Sequence, residues 1–277
     1  MTVSHRYLRS AIGQMRREIL HGIYRPRPIL FDHLPKCAGT TVRRYLLTQY
    51  PNRAMFWVKP SSVEQSIETF RCMSEQARSR FRLVGGHNAN RLFDGVRADA
   101  VRLTILREPV DRIVSHYYFV IRDTRNYLHE RVVRDNIRLE DYARLGLSSE
   151  LRNWYTTHFT GLSIEEAEGD PAAAVQRAAE IVLGCYDVVG FQDDLPAAMR
   201  ALRKAARLYR AFENVVANEK GVAGGASDEA RSAIAEVNWL DVQLYALLRK
   251  RLEVAAVPAG KSNDGEIGGL RGDRRFG

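Results

Sequence analysis

Residues Ile29–Leu47 read ILFDHLPKCAGTTVRRYLL. An apolar run stops at Pro35-Lys36, a short loop holding Gly39 follows, and a helix-like pattern begins at Thr41. A strand that feeds a tight loop and then a helix gathers backbone N–H groups and the positive end of a helix dipole at one spot, which suits an anion. Lys36 adds a cation there, and Thr40 and Thr41 add hydroxyl donors. Gly39 offers close approach of the backbone. The order is not that of an ATP-binding loop, because Lys36 precedes Gly39 where Gly-x4-Gly-Lys-Ser/Thr requires it to follow. By itself the segment also fits an ordinary strand-to-helix turn with Thr40 as the helix cap.

Working outward, Ala54–Val58, Arg82–Gly86 and Val101–Leu106 are further short apolar runs, with Asp187–Phe191 beyond them. Ser61 and Glu64 have capping-box spacing for a helix reaching Arg78. Pro109 stands where the first turn of the next helix should be. Strands alternating with helices imply a parallel sheet with crossover helices, whose ligands collect at the carboxyl ends of the strands. The second half reads as helical over 150–159, 171–183, 195–209 and 228–252. The expected fold class is therefore α/β: a P-loop-like three-layer fold with a central parallel sheet flanked by helices and a helical C-terminal half. Upstream, Leu8, Ile12, Met15 and Ile19 recur at helical spacing, so 1–27 reads as an amphipathic helix and linker. The domain proper spans 28–255. Residues 256–277, rich in Gly and charge, read as a disordered tail.

Val101–Val120, VRLTILREPVDRIVSHYYFV, carries a second cluster. Arg107 emerges at a strand end, Arg112 follows, and Ser115 falls on the second helical turn. A guanidinium at that place makes a second anion site. A surface arginine paired with Glu108 or Asp111 fits the same residues.

The chain of 277 residues has a formal charge of +9, and lysine occupies only six positions, so arginine carries the excess. Arginine suits fixed recognition of phosphate or sulfate. Nucleotides, acidic glycans and nucleic acid all qualify, as does a solvated basic surface. The arginines are dispersed and no nucleic-acid motif appears, which speaks against a nucleic-acid partner. Cys37, Cys72 and Cys185 lack metal-like spacing and cannot pair completely, which points to a reducing compartment. No signal peptide or run of membrane-spanning length is present, so the expectation is a cytoplasmic protein without stable membrane insertion.

Together, HLPKCAGTT and LREPVDRIVSHYY resemble the sulfotransferase superfamily, and most closely its branch of uronyl and heparan 2-O-sulfotransferases and bacterial carbohydrate sulfotransferases. The likeness runs more thinly through VVGFQDDLPAAMRAL and IAEVNWLDVQLYALL, covering roughly Pro28 to Leu252. It implies the co-substrate 3′-phosphoadenosine-5′-phosphosulfate (PAPS), with Lys36, Cys37, Ala38, Gly39, Thr40 and Thr41 around the 5′-phosphosulfate and Arg107 and Ser115 on the 3′-phosphate. It implies in-line transfer to a carbohydrate hydroxyl, with Lys36 stabilising the leaving oxygen and no metal. His87, in VGGHNANRLF, matches the Gly-His motif that carries the branch's catalytic histidine. The neighbouring histidine common in the branch is replaced by Gly85 or Gly86, so a supporting histidine is absent or comes from elsewhere. His33 fits the loop pattern with a structural role, and His116 reads as packing or surface. Cys37, near a helix N-terminus, is expected to have a lowered pKa. Asn218 and Lys220 fall where the family closes over the nucleotide, and Arg122, Arg125 and Arg131 would suit an anionic sugar. Two other readings remain open: a P-loop kinase-like phosphotransferase, and a non-catalytic basic nucleotide- or nucleic-acid-binding protein.

Overall fold

The computed structural model describes residues 3–213 and 225–256, with side chains described from residue 11. Five parallel strands, β1 (Ile29–Asp32), β2 (Met55–Val58), β3 (Leu83–Gly86), β4 (Val101–Leu106) and β5 (Val188–Phe191), form one sheet in the order β2-β3-β1-β4-β5. The central strand β1 is buried throughout, as a strand covered on both faces must be. Its period-2 alternation divides the core. Ile29 and Phe31 face a cluster with Val42 and Leu46 of α2 (Gly39–Leu46) and Met199 and Leu202 of α11 (Leu195–Ala206). Leu30 faces Ile67 and Phe70 of α3 (Val63–Arg71).

On the same side as α3, Leu34 and Leu106 pack with Phe159 of α8 (Trp154–Thr160), Val182 of α10 (Pro171–Cys185) and Leu244 of α13 (Trp239–Ala256). A helical cap joins α5 (Pro109–Arg122), α6 (His129–Arg134), α7 (Leu139–Arg144) and α12 (Asp228–Val237) through Ile113, Val132, Tyr142 and Ile234. Two short helices, α4 (Glu75–Arg78) and α9 (Ile164–Gly169), also form. The three-layer α/β expectation, with its helical second half, matches this architecture.

Several local expectations differ. The capping box from Ser61 does not form: a 3-10 turn at Pro60–Ser62 precedes α3, and Ser66 Oγ instead accepts from the Lys59 N–H. The helix expected over 228–252 breaks at Asn238, whose buried amide bonds the carbonyls of Leu151 and Ile234. The helix expected from 150 starts only at Trp154, because Asn153 adopts φ 45° and Asp241 accepts the N–H groups of Tyr155 and Thr156. The upstream helix α1 (Val3–Tyr24) forms, but its apolar stripe points outward: Ile12, Met15 and Ile19 are all more than half exposed. Its polar side docks instead, through Glu18 with Arg53 and the His21 ring against Tyr50. No described helix is long and apolar enough to cross a membrane. Asn218, Lys220 and the tail expected over 256–277, apart from Ala256 at the end of α13, lie outside the described residues.

Candidate active site

Sheet order places the site. Strand β1 pairs with β3 on one side and β4 on the other, so the loops after these three strands open onto one crevice at their carboxyl ends. Asp32 lies level with both Gly86 and Thr104. The next residues, His33 and His87, are therefore neighbours, and their rings stack at 4.5 Å. The histidine beside His87 thus comes from the adjacent strand. Gly86 explains why it does not precede His87 in sequence: φ is 131°, and a Cβ there would lie 2.7 Å from the Val58 carbonyl oxygen.

The loop after β1 is built from left-handed residues that are not glycine. Lys36 has φ 65° and Ala38 φ 61°. Alternating the hand of the backbone turns successive N–H groups to one side, as in anion-binding nests. Helix α2 starts at Gly39 with Ala38 as its N-cap and no side chain capping it, so Thr40 is not the cap that a plain turn would use. Among the described residues, the N–H groups of Ala38, Gly39 and Thr40 have no intramolecular acceptor. The reason for glycine at 39 also differs from the expectation. A Cβ there would lie 1.6 Å from His33 Nε2, so the imidazole occupies the space a side chain would need. Thr40 is exposed and Thr41 half-buried.

Lys36 places its ammonium 4.0 Å from the Phe119 ring centroid. Ser115, Phe119 and Arg122 recur on one face of α5 by helical spacing, so this contact turns Ser115 toward the loop. Burial, with Arg122 and Arg107 nearby, lowers the Lys36 pKa to about 8. Arg107 reaches back to the Lys36 carbonyl at 3.5 Å, and its buried Nε has no partner. The carboxylates expected to neutralise Arg107 are engaged elsewhere. Glu108 accepts from the N–H groups of Val110 and Asp111 as the α5 cap, and Asp111 pairs with Arg231 at 2.9 Å. Lys36 and Arg107 thus converge without an ion-pair partner among the described residues.

One residue behaves otherwise than read. Cys37 points into the core, with Sγ 3.1 Å from the Tyr155 hydroxyl, and burial pushes its pKa up rather than down. Only its backbone belongs to the loop. Arg112 is fully buried beneath the site, donating to the Glu150 carbonyl at 2.8 Å and packing on the rings of Trp154 and Tyr155. His116 is packed, as expected, with Nδ1 2.8 Å from the Tyr142 hydroxyl. Arg125 pairs with Asp123, and Arg131 is exposed on α6.

The sequence reading gave no role to Tyr155, met only within RNWYTTHFTG, a stretch that loosely resembles a family segment near the acceptor and nucleotide. Its hydroxyl donates to the Arg107 carbonyl at 2.9 Å, accepts from the Arg107 N–H at 3.1 Å and touches Cys37, tying the two anion segments together. It also missed Asp32. This carboxylate is wholly buried and accepts from Tyr186 at 2.7 Å, with His158 Nε2 at 2.9 Å. Burial pushes the Asp32 carboxyl up, but the His158 imidazole and these hydrogen bonds outweigh it and hold it below the usual carboxylate range. His87 is half-buried, and its Nδ1 has no partner. Burial lowers its pKa below the usual 6.5, with Asp32 and the His33 backbone opposing, so the ring is neutral at pH 7. Among the described residues, no group of three or more His, Cys, Asp or Glu is placed to hold a metal.

No curated protein matches significantly. Among solved structures, the chain is similar to a sulfotransferase from Alicyclobacillus acidocaldarius at 18% identity and a TM-score of 0.45, covering 80% of this chain and 96% of that one. The model of the Sulfotransferase family matches residues 23–211, a span holding both anion segments, the histidine pair and the whole sheet, and the chain belongs to that family.

Proposed function

We propose that the protein transfers the sulfuryl group of PAPS to a hydroxyl of a carbohydrate or glycoconjugate. The observation that carries this reading is the convergence of Lys36 and Arg107, without a carboxylate between them, beside the uncapped start of α2. Such an arrangement is costly for an empty protein and suits a ligand with an anionic group at each end. The N–H groups of Ala38, Gly39 and Thr40, with the hydroxyls of Thr40 and Thr41, hold the 5′-phosphosulfate, and Arg107 and Ser115 hold the 3′-phosphate.

The residues then divide the work. His87, neutral and without a partner at Nδ1, accepts the proton of the acceptor hydroxyl. The acceptor oxygen forms a bond to sulfur as the bond from sulfur to the bridging phosphate oxygen breaks, and 3′,5′-adenosine bisphosphate departs. Lys36 stabilises the charge that grows on the bridging oxygen. A preorganised donor in such a place contributes about 2.7–4 kcal/mol. His33 buttresses the His87 ring by stacking. Its own pKa is driven down to about 3 by burial and His87, so it stays uncharged beside the base.

The test is a calorimetric titration with 3′,5′-adenosine bisphosphate, against 5′-AMP and against ATP with magnesium. Binding that depends on the 3′-phosphate is expected. Preference for ATP with magnesium would replace this reading with phosphoryl transfer.

A further inference from the structure

A cavity of about 460 Å³ opens at Asn88, the residue after His87, within the range of small-ligand sites, about 300–1,000 Å³. It begins at Asn88 and Asn90, on the turn that follows His87, and is closed by Ser149, Trp154, Thr157 and His158. Its chemistry differs from that of the loop after β1. Every charged group on it is already neutralised. Arg91 lies in a bidentate pair with Glu64, at 2.5 and 2.9 Å, and His158 is held by Asp32.

The remaining groups are hydroxyls, amides and one indole ring. Asn90 donates to the His158 carbonyl at 3.3 Å, while its Oδ1 is buried and has no partner. The cavity therefore offers hydroxyls, amides and an aromatic face, with its ionisable groups already paired.

We infer that this cavity is the acceptor subsite and that it takes an uncharged, hydroxyl-rich ring, a neutral sugar rather than a uronate, against the amides of Asn88 and Asn90 and the hydroxyls of Ser149 and Thr157. The assignment rests on the sulfotransferase reading above. Asp32, fixed by Tyr186, holds the His158 ring through Nε2 and lies one residue from the level of His87. An anionic sugar would gain nothing from Arg91 without breaking its pair with Glu64.

The experiment uses the full chain with saturating 3′,5′-adenosine bisphosphate, whose own binding is titrated on the same sample. Saturation-transfer NMR then compares methyl β-D-glucopyranoside with methyl β-D-glucuronide. The glucoside should bind at least about tenfold more tightly, because each unmatched polar contact costs about 1–3 kcal/mol. Ser149→Trp, at an exposed turn position on the rim, should abolish the glucoside signal while leaving nucleotide affinity unchanged. Preference for the glucuronide, binding of neither glycoside by a protein that binds the nucleotide, or an undiminished signal in Ser149→Trp would each overturn the inference. Failure of the nucleotide to bind would instead strike the donor assignment, and the glycoside comparison would still report on the cavity.

Discussion

The two walls of the crevice solve opposite problems. On the β1/β4 side, Lys36 and Arg107 stand together with Arg122 adding further positive charge, and neighbouring carboxylates are drawn away to Arg231 and to the α5 cap. On the β3/α8 side, the ionisable groups are paired: Asp32 with His158, Glu64 with Arg91. One wall is electrostatically incomplete and the other is finished. Two histidines mark the boundary. His158 has a carboxylate and is fixed by it, whereas His87 has only a stacked ring and an unpartnered nitrogen. An imidazole meant to take up and release a proton benefits from that looser position, while a matched wall can hold a neutral molecule without competing for the anion.

The comparison can be broken most sharply at His87. His87→Ala should lower kcat by about 10²–10⁴-fold while nucleotide affinity is retained, measured by turnover and calorimetry in parallel. Normal turnover would move the proton acceptor to the matched wall. Next in size, Lys36→Ala should reduce kcat by about 10²–10³-fold. A pH profile sharpens the same point. The alkaline limb of kcat/KM should lie near pH 8, where Lys36 of the free enzyme loses its proton, burial and the Arg107 and Arg122 charges having lowered it. The acid limb should fall below 6.5, since the lowered His87 pKa keeps the ring neutral to a lower pH. Lys36→Arg should remove the alkaline limb.

Arg107→Ala should weaken 3′,5′-adenosine bisphosphate by about ten- to a hundredfold and 5′-AMP much less, because only the 3′-phosphate contact is lost. Equal losses for both ligands would place Arg107 elsewhere. The smallest effect tests the wall itself. Gly39→Ala must displace the His33 ring, and overpacking of that kind costs about 1–3 kcal/mol, readable as a lowered midpoint in urea.

The parts of the site that were legible in the sequence are those that lie in a row. Lys36 to Thr41 and Arg107 to Ser115 could be read because strand, loop and helix follow one another along the chain, and β4 came out with the bounds expected for it. What escaped were pairings made by the sheet. Asp32 looked like the last residue of a buried strand, and nothing nearby announces His158, which reaches it from α8. Tyr155 was hidden in the same way, its hydroxyl meeting β4 and the β1 loop only after α8 docks. The Cys37 misreading has a different cause. A helix N-terminus lowers a thiol pKa only if the sulfur faces it, and here the side chain turns into the core, where burial dominates. The break at Asn238 was likewise invisible to periodicity, since the apolar spacing continues through it.

The order of strands also bears on how the chain is made. β4 has β1 as one neighbour from the start, but its other neighbour, β5, begins only at Val188. At about 5–20 residues per second, on the order of 4–16 s of synthesis separates Leu106 from Val188. Through that interval Val101–Leu106 presents an apolar, unpaired edge, the kind of segment that recruits other chains. A nascent protein of this design needs shielding at one particular strand, and slow translation between α5 and α10 should raise the fraction lost to aggregation more than slow translation anywhere else.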